Sequence, residues 1–217
     1  MLLLIPGHVF TPIASLAESY GVPVVSVGGI AKQYVVPGWR IGWLLFHDAG
    51  TGRLAEVKAG ALALTQIILG ANTLIQALLP ALLLQTPREY YDTLNAVLED
   101  QSVFLFTHIN AIPGAGLQAI EPQGAMYLMV RIRTELFEPE VGKDDVAFSA
   151  ALLQEEMLFV LPGSCFLADN FIRLVTCAPK HIMEQAVARL TRFCIKHYKS
   201  GVLSDSNGGA SAVAAKP

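Results

Sequence analysis

The stretch Ser26-Val27-Gly28-Gly29-Ile30-Ala31-Lys32, continued by Val35-Val36-Pro37-Gly38-Trp39-Arg40-Ile41-Gly42-Trp43, holds the residue types best suited to chemistry. One lysine follows an apolar run and a glycine pair, and one arginine stands eight positions later. No carboxylate occurs between Glu18 and Asp48. An amine without acidic neighbours, set where glycines thin the backbone, suits a role that needs the neutral form, because partial desolvation disfavours an ammonium ion. A neutral amine attacks a carbonyl to form a Schiff base. Arginine contributes a rigid planar fork of donors that matches a phosphate.

An amine for an aldehyde and a guanidinium for a phosphate are the two anchors that pyridoxal 5'-phosphate requires. Judged by composition only, an apolar strand ending in Gly-Gly with a lysine nearby is an ordinary loop. The order of residues goes further. Gly28-Gly29-Ile30-Ala31-Lys32 followed by Val36-Pro37-Gly38-Trp39-Arg40-Ile41-Gly42-Trp43 resembles the lysine region of class I, fold type I aminotransferases, their tyrosine-type members in particular. The resemblance implies that Lys32 is the catalytic, cofactor-bound lysine and that Arg40 binds the cofactor phosphate.

These residues need elements to position them. Thr11-Pro12 reads as a turn into a short helix near 13–19, with Ser15 and Glu18 outward. Val22 to Val27 is a β-branched run, predicted as a strand buried on both faces in a parallel sheet. Lys32 then falls just past a strand's C-terminal end, where ligands bind in open α/β sheets. A second such strand is predicted over Ile41–Phe46. Between Ala59 and Pro87 there is no charged residue, which predicts two buried helices broken near Gly70. The stretch is long enough for a membrane span, but Thr65, Gln66, Asn72, Thr73, Gln76 and Pro80 argue against one. Thr86-Pro87-Arg88-Glu89 is a capping-box start for a helix of about 20 residues. Tyr90, Tyr91, Leu94, Val97, Leu98 and Leu105 recur on it at helical spacing, and Ile112-Pro113-Gly114-Ala115-Gly116 ends it.

The rest of the chain reads as a strand over 124–130, a polar loop over 137–143 and a helix over 146–156. That helix is capped by Asp144 or Asp145, with Phe148, Leu152 and Leu153 inward. Short strands follow over 157–161 and 171–176. A final helix starts at Pro179, with Ile182, Ala186, Leu190 and Phe193 as its apolar stripe. The Gly, Ser and Ala-rich tail is predicted to be disordered.

Alternation places Phe171, Arg173 and Val175 on one face of their strand, and an arginine on a buried face needs an anion. A local Asp or Glu is one candidate. The resemblance supplies another: Asn170-Phe171-Ile172-Arg173 is similar to the family segment whose arginine binds the substrate α-carboxylate bidentately. Gly124-Ala125-Met126-Tyr127-Leu128 and Leu161-Pro162-Gly163-Ser164-Cys165-Phe166 also resemble family segments. The likeness runs from about residue 7 to residue 197.

The fold it implies is α/β: the C-terminal half of the large domain of fold type I, plus the small α+β C-terminal domain. The divisions are 1–86 for the partial large domain, 87–110 for a long connecting helix, 111–199 for the small domain and 200–217 for the tail.

Composition bounds the partners. Apolar residues make up 53% of the 217 and charged residues only 15%, against about a quarter charged in typical soluble domains. That deficit predicts a surface that expects a cover. A net charge of −3 gives no support for nucleic acid. Cys165, Cys177 and Cys194 have no Cys-x-x-Cys spacing and the five histidines form no His-x-x-x-His pair, so neither disulfides nor a metal site is predicted. Free thiols suit the cytoplasm; mitochondria also fit.

The implied reaction is transamination of an aromatic, tyrosine-like or broad-range L-amino acid to a 2-oxo acid, in a homodimeric family. The alternatives are another fold type I activity, such as a lyase, and an inactive binding or dimerisation module. The chain departs from the family at its start. Leu3-Leu4-Ile5-Pro6-Gly7 stands where the family has Asp-Glu-Ile-Tyr-Gly, so Pro6 offers no hydroxyl to the cofactor. A phosphate-binding serine of some relatives is replaced by Gly29, with Ser26 a weak substitute. On these grounds the chain is expected to be a partial or truncated form.

Overall fold

A computed structural model describes residues 10–205, so the expectations placed on residues 1–9 and 206–217 lie outside the described residues. The chain divides into two compact units, one running through Leu94 and the other from Asn95.

In the first unit, helix α1 (Ile13–Ser19) leads to strand β1 (Val24–Gly29), the single turn α2 (Ile30–Gln33) and strand β2 (Gly42–His47). β1 and β2 pair antiparallel, with Gly28 opposite Trp43 and Gly29 opposite Gly42. This corrects the parallel, doubly buried strand predicted from the valine run. Only 12 residues separate the two strands, and such a short connection favours return along the same edge. The faces differ as well: Val25, Val27, Leu44 and Leu45 are exposed.

Two helices follow, α3 (Ala55–Ile67) and α4 (Thr73–Gln85), broken at Gly70 as the sequence suggests. The break is left-handed at both Leu69 and Gly70. The Asn72 side chain then caps α4 by accepting the Leu74 and Ile75 N–H groups at 2.9 and 3.3 Å. Neither helix contains a buried residue, which corrects the expectation of two buried helices. Among the described residues no helix is long and apolar enough to cross a membrane.

Helix α5 (Arg88–Asn110) is the long helix expected after Pro87. The predicted capping role of Thr86 is not what its hydroxyl does. It donates to the Leu82 carbonyl at 2.6 Å and closes α4 instead.

The second unit is an antiparallel sheet in the order β3 (Leu117–Ala119), β4 (Tyr127–Ile132), β6 (Phe171–Val175), β5 (Leu161–Pro162). Helices α6 (Asp145–Glu156) and α7 (Lys180–His197) accompany it. Alternation decides its faces. Leu128, Val130, Ile132, Ile172 and Leu174 are buried and join Leu105, Ile109, Phe148, Leu152, Leu190 and Phe193 in one core. Tyr127, Met129 and Arg173 stand on the opposite face, partly exposed. Arg173 is therefore not on the buried face.

Four further readings change. The polar loop at 137–143 contains fully buried Phe137, stacked on Tyr198 with centroids 4.8 Å apart. Leu153 is exposed, not inward. The stripe of α7 runs through Met183, Leu190, Phe193 and Cys194, while Ile182 is exposed. Beyond Ser200, α8 (Val202–Asp205) forms one turn whose Val202 and Leu203 pack partly on the core.

Truncating Met183 to Ala should cost about 2–5 kcal/mol, whereas Ile182→Ala should stay within about 0.5 kcal/mol; chemical denaturation of the two variants checks the corrected stripe. Burial also pushes the Cys194 thiol up to about 12, against about 8.5 for an unperturbed cysteine. Between those values the unfolded chain loses the proton first. The thiol's contribution to stability is thus complete below about pH 8.5 and lost as pH rises through the window, by at most about 1.4 kcal/mol per pH unit. Cys194→Ala should flatten that decline in stability measured between pH 8 and 11.

Candidate active site

Lys32 owes its place to its neighbours in α2. Ile30 and Tyr34, four apart and therefore on one side of a helical turn, are both buried. They join Ile41 in a small core with Val36, Trp43, Ile75, Leu79, Leu82, Tyr90 and Tyr91 packed against it. Lys32 lies on the other side of the turn and is exposed. The partial desolvation expected for it is not supplied by burial within the described residues.

A tyrosine cluster pins the turn. Tyr91 donates its hydroxyl to Tyr34 at 2.7 Å, and Tyr34 donates to the Leu82 carbonyl at 3.2 Å. Tyr90 stacks on Tyr34 with centroids 6.3 Å apart. Burial first, then the hydrogen bond from Tyr91, pushes the Tyr34 hydroxyl up to about 12. No signal at Tyr34 itself marked this role; the helical spacing of Tyr90 and Tyr91 had only marked a helix face.

Arg40 closes a 3-10 turn over Pro37–Trp39 and is itself left-handed, at φ 49°. Its Nη1 donates to the Pro37 carbonyl at 3.0 Å, and its remaining donors are not engaged by a carboxylate among the described residues. The strands beneath approach closely. A side chain at Gly28 would collide with the Trp43 indole, and one at Gly42 would meet the Gly28 carbonyl oxygen at 2.7 Å. A cleft of about 500 Å³ is formed by β1, β2 and α3, lined in part by Val27, Gly28, Trp43, Phe46, Lys58 and Leu62; neither Lys32 nor Arg40 lines it.

Arg173 sits in the second unit and is described there by itself. Its guanidinium carbon lies 4.1 Å from the Tyr127 ring centroid and 4.4 Å from that of Phe166, so two π-faces contact the cation. No ion pair among the described residues involves it. The local Asp or Glu that spacing allowed is therefore not its partner. Because the two rings are neutral, the guanidinium N–H donors are not committed to a carboxylate among the described residues. Tyr127 and Phe166 both lie in segments that resemble the family, but no local pattern marks either ring as a neighbour of Arg173, because the contact joins β4, β6 and the loop after β5.

The donor set fits pyridoxal 5'-phosphate in two respects. It offers an exposed primary amine and an exposed guanidinium eight residues apart, within a stretch, 19–47, that holds no carboxylate. Stretch 3–7, where a cofactor contact was sought, lies outside the described residues.

The two units are those of fold type I pyridoxal-phosphate enzymes, as superposition shows. The tyrosine aminotransferase of Leishmania infantum matches with a TM-score of 0.75 at 31% identity, over 82% of this chain and 43% of that one. The model of the family "Aminotransferase class I and II" matches residues 6–190, and the chain belongs to that family. It is 41% identical over 189 residues to the tyrosine aminotransferase of Mus musculus, a match taking in 87% of this chain and 40% of the relative. It is also 35% identical over 189 residues to a cystine lyase of Arabidopsis thaliana, covering 86% of this chain and 44% of that protein. The chain thus spans about 40% of the length of the tyrosine aminotransferases of Mus musculus and Homo sapiens.

Tyr34→Phe removes a hydroxyl from the pinning cluster while keeping its ring, and should cost the first unit about 1–3 kcal/mol. Hydrogen exchange of the amides of 30–36 checks it: their protection should fall while that of α6 and α7 stays unchanged.

Proposed function

We propose that this chain carries the cofactor-lysine and carboxylate-binding parts of an aminotransferase acting on aromatic, tyrosine-like L-amino acids, with a 2-oxo acid as the partner substrate. The observation that carries the proposal is Lys32 itself: an amine held outward on a pinned turn, in a stretch without carboxylates, with Arg40 on the same loop.

Pyridoxal 5'-phosphate, when bound, supplies the aldehyde that takes up the amino group and the conjugated ring that accepts charge from the α-carbon. Lys32 would hold it through Nζ and Arg40 through its phosphate, donating from the N–H groups not given to Pro37. The Lys32 Nζ would take the proton from the substrate α-carbon as general base and return it as general acid. Arg173 offers two parallel N–H groups to the substrate α-carboxylate, and the flanking rings fix the plane in which it does so.

A lyase is the second reading, favoured by the likeness to the cystine lyase; it is separated by whether turnover requires a 2-oxo acid. The apolar side chains left exposed on α3 and α4, among them Leu62, Ile67, Leu74 and Leu84, support a homodimer face, and the same surface serves the reading as a dimerisation module. The free thiols Cys165, Cys177 and Cys194 support a cytoplasmic placement.

Adding pyridoxal 5'-phosphate to the purified chain should produce a visible absorbance band and, after borohydride reduction, a covalent mass on Lys32. Lys32→Ala should abolish both. Arg40→Gln should weaken cofactor binding about tenfold, equivalent to ~1.4 kcal/mol. A folded chain that gains no mass at Lys32 ends the proposal.

A further inference from the structure

One buried carboxylate in the second unit takes no part in the roles assigned so far. Asp145 is 2% exposed. Its Oδ2 accepts the Ser164 N–H at 2.8 Å and its Oδ1 accepts the Asn170 N–H at 3.3 Å. No lysine, arginine or histidine among the described residues pairs with it. Burial pushes its carboxyl up, and hydrogen bonds from the backbone and side chain of Ser164 and from Asn170 outweigh that, leaving it below its ordinary value.

Capping α6 is not its task. The adjacent Asp144 already does that, accepting the Ala147 N–H at 2.7 Å. What Asp145 gathers are the two ends of the loop 163–170. Between those ends the loop folds back on itself: the Leu167 N–H reaches the Ser164 carbonyl at 3.1 Å and the Ala168 N–H reaches the Gly163 carbonyl at 3.0 Å. Leu167 and Asn170 both adopt left-handed φ, at 59° and 63°, and a side chain at Gly163 would collide with the Ala168 carbonyl. Burial of its own side chains does not hold this loop, since Cys165, Phe166, Leu167, Asp169 and Asn170 are all exposed. Yet Phe166, in its middle, lies against the Arg173 guanidinium, and Arg173 follows Asn170 by three residues.

We propose that Asp145 is a positioning residue for Arg173: by binding both ends of the loop to one buried carboxylate, it holds the Phe166 ring against the guanidinium and so fixes the plane in which that guanidinium presents its donors. The consequence for substrate rests on the reading of Arg173 as a carboxylate holder; the positioning itself does not. A neutral side chain at 145 keeps at most one of the two amide bonds, because an amide group has a single acceptor oxygen. The loop then keeps its internal bonds but loses one tie to α6, and the ring is held less firmly at its distance from the guanidinium.

The test uses the full chain and two readouts. The first is the Arg173 Nε–H signal in the nitrogen-correlated NMR spectrum of the free chain, assigned by its loss in Arg173→Lys. The second is the Kd for 3-phenylpropionate, a carboxylate without an amine. Phe166→Leu sets the signal position of an unstacked guanidinium. Asp145→Asn should move the signal at least half of that way and raise Kd at least fivefold, and the double variant should bind no more weakly than the weaker single one. Ser164→Ala, which removes only the hydroxyl's bond, should move the signal in the same direction by less, and it decides the matter if Asp145→Asn does not fold. A signal unmoved in a folded Asp145→Asn or in Ser164→Ala, with only the thermal midpoint lowered, overturns the proposal and leaves Asp145 a stabiliser of α6. If Arg173→Lys binds the probe as well as the unaltered chain, the carboxylate reading of Arg173 fails, while the NMR signal still decides the positioning.

Discussion

The placement of Lys32 depends on the burial of two side chains on one helical turn. Ile30 and Tyr34 are driven into the small core beneath β1 and β2, and a turn with both of these on its inner side must carry the residue between them outward. The hydrophobic term does the positioning, and the tyrosine hydroxyls sharpen it through Leu82. The same geometry explains why the turn need not be long. Its four residues are held by packing, not by helical propensity, which is too weak to stabilise so short a segment.

Charge in this protein follows a consistent pattern at the residues of interest. Arg40 leans on a carbonyl, Arg173 on two aromatic faces, and Asp145 on two backbone amides. In each case the ion is supported by neutral groups. An arginine paired with a carboxylate would be spent on that carboxylate; one supported by π-faces keeps its donor edge for an incoming anion. Conversely, a buried aspartate satisfied by N–H groups can organise a loop without drawing a cation away from the sheet face where Arg173 stands.

Residue order is enough to nominate the candidate site residues. Lys32, Arg40 and Arg173 could be singled out because their neighbours are so distinctive: glycines and apolar residues with no acid for one, an apolar strand for the other. The helices at 13–19 and 88–110, and the break near Gly70 between the two helices that precede Pro87, followed from breakers and periodicity, since Pro12, Gly70 and Pro87 interrupt otherwise regular patterns. The errors have a common origin. Burial was inferred from apolarity, and Val27, Leu69 and Leu84 are apolar yet exposed. Apolarity records what a side chain would gain from a cover, not whether a neighbouring element supplies one. For the same reason Phe137 was passed over in a polar loop although it is fully buried against Tyr198.

Residue order by itself determined which side chains are chemically equipped, where the longer helices are broken, and the family to which the chain belongs, because these are properties of local spacing. Tertiary structure decided the antiparallel pairing of β1 with β2, the sheet face on which Arg173 stands, and the clamp that Tyr127 and Phe166 make around it. It also decided which of two adjacent aspartates caps a helix and which ties a loop. Each of those outcomes is set by groups far apart in the chain, and the free energy of bringing them together depends on packing that no local pattern encodes.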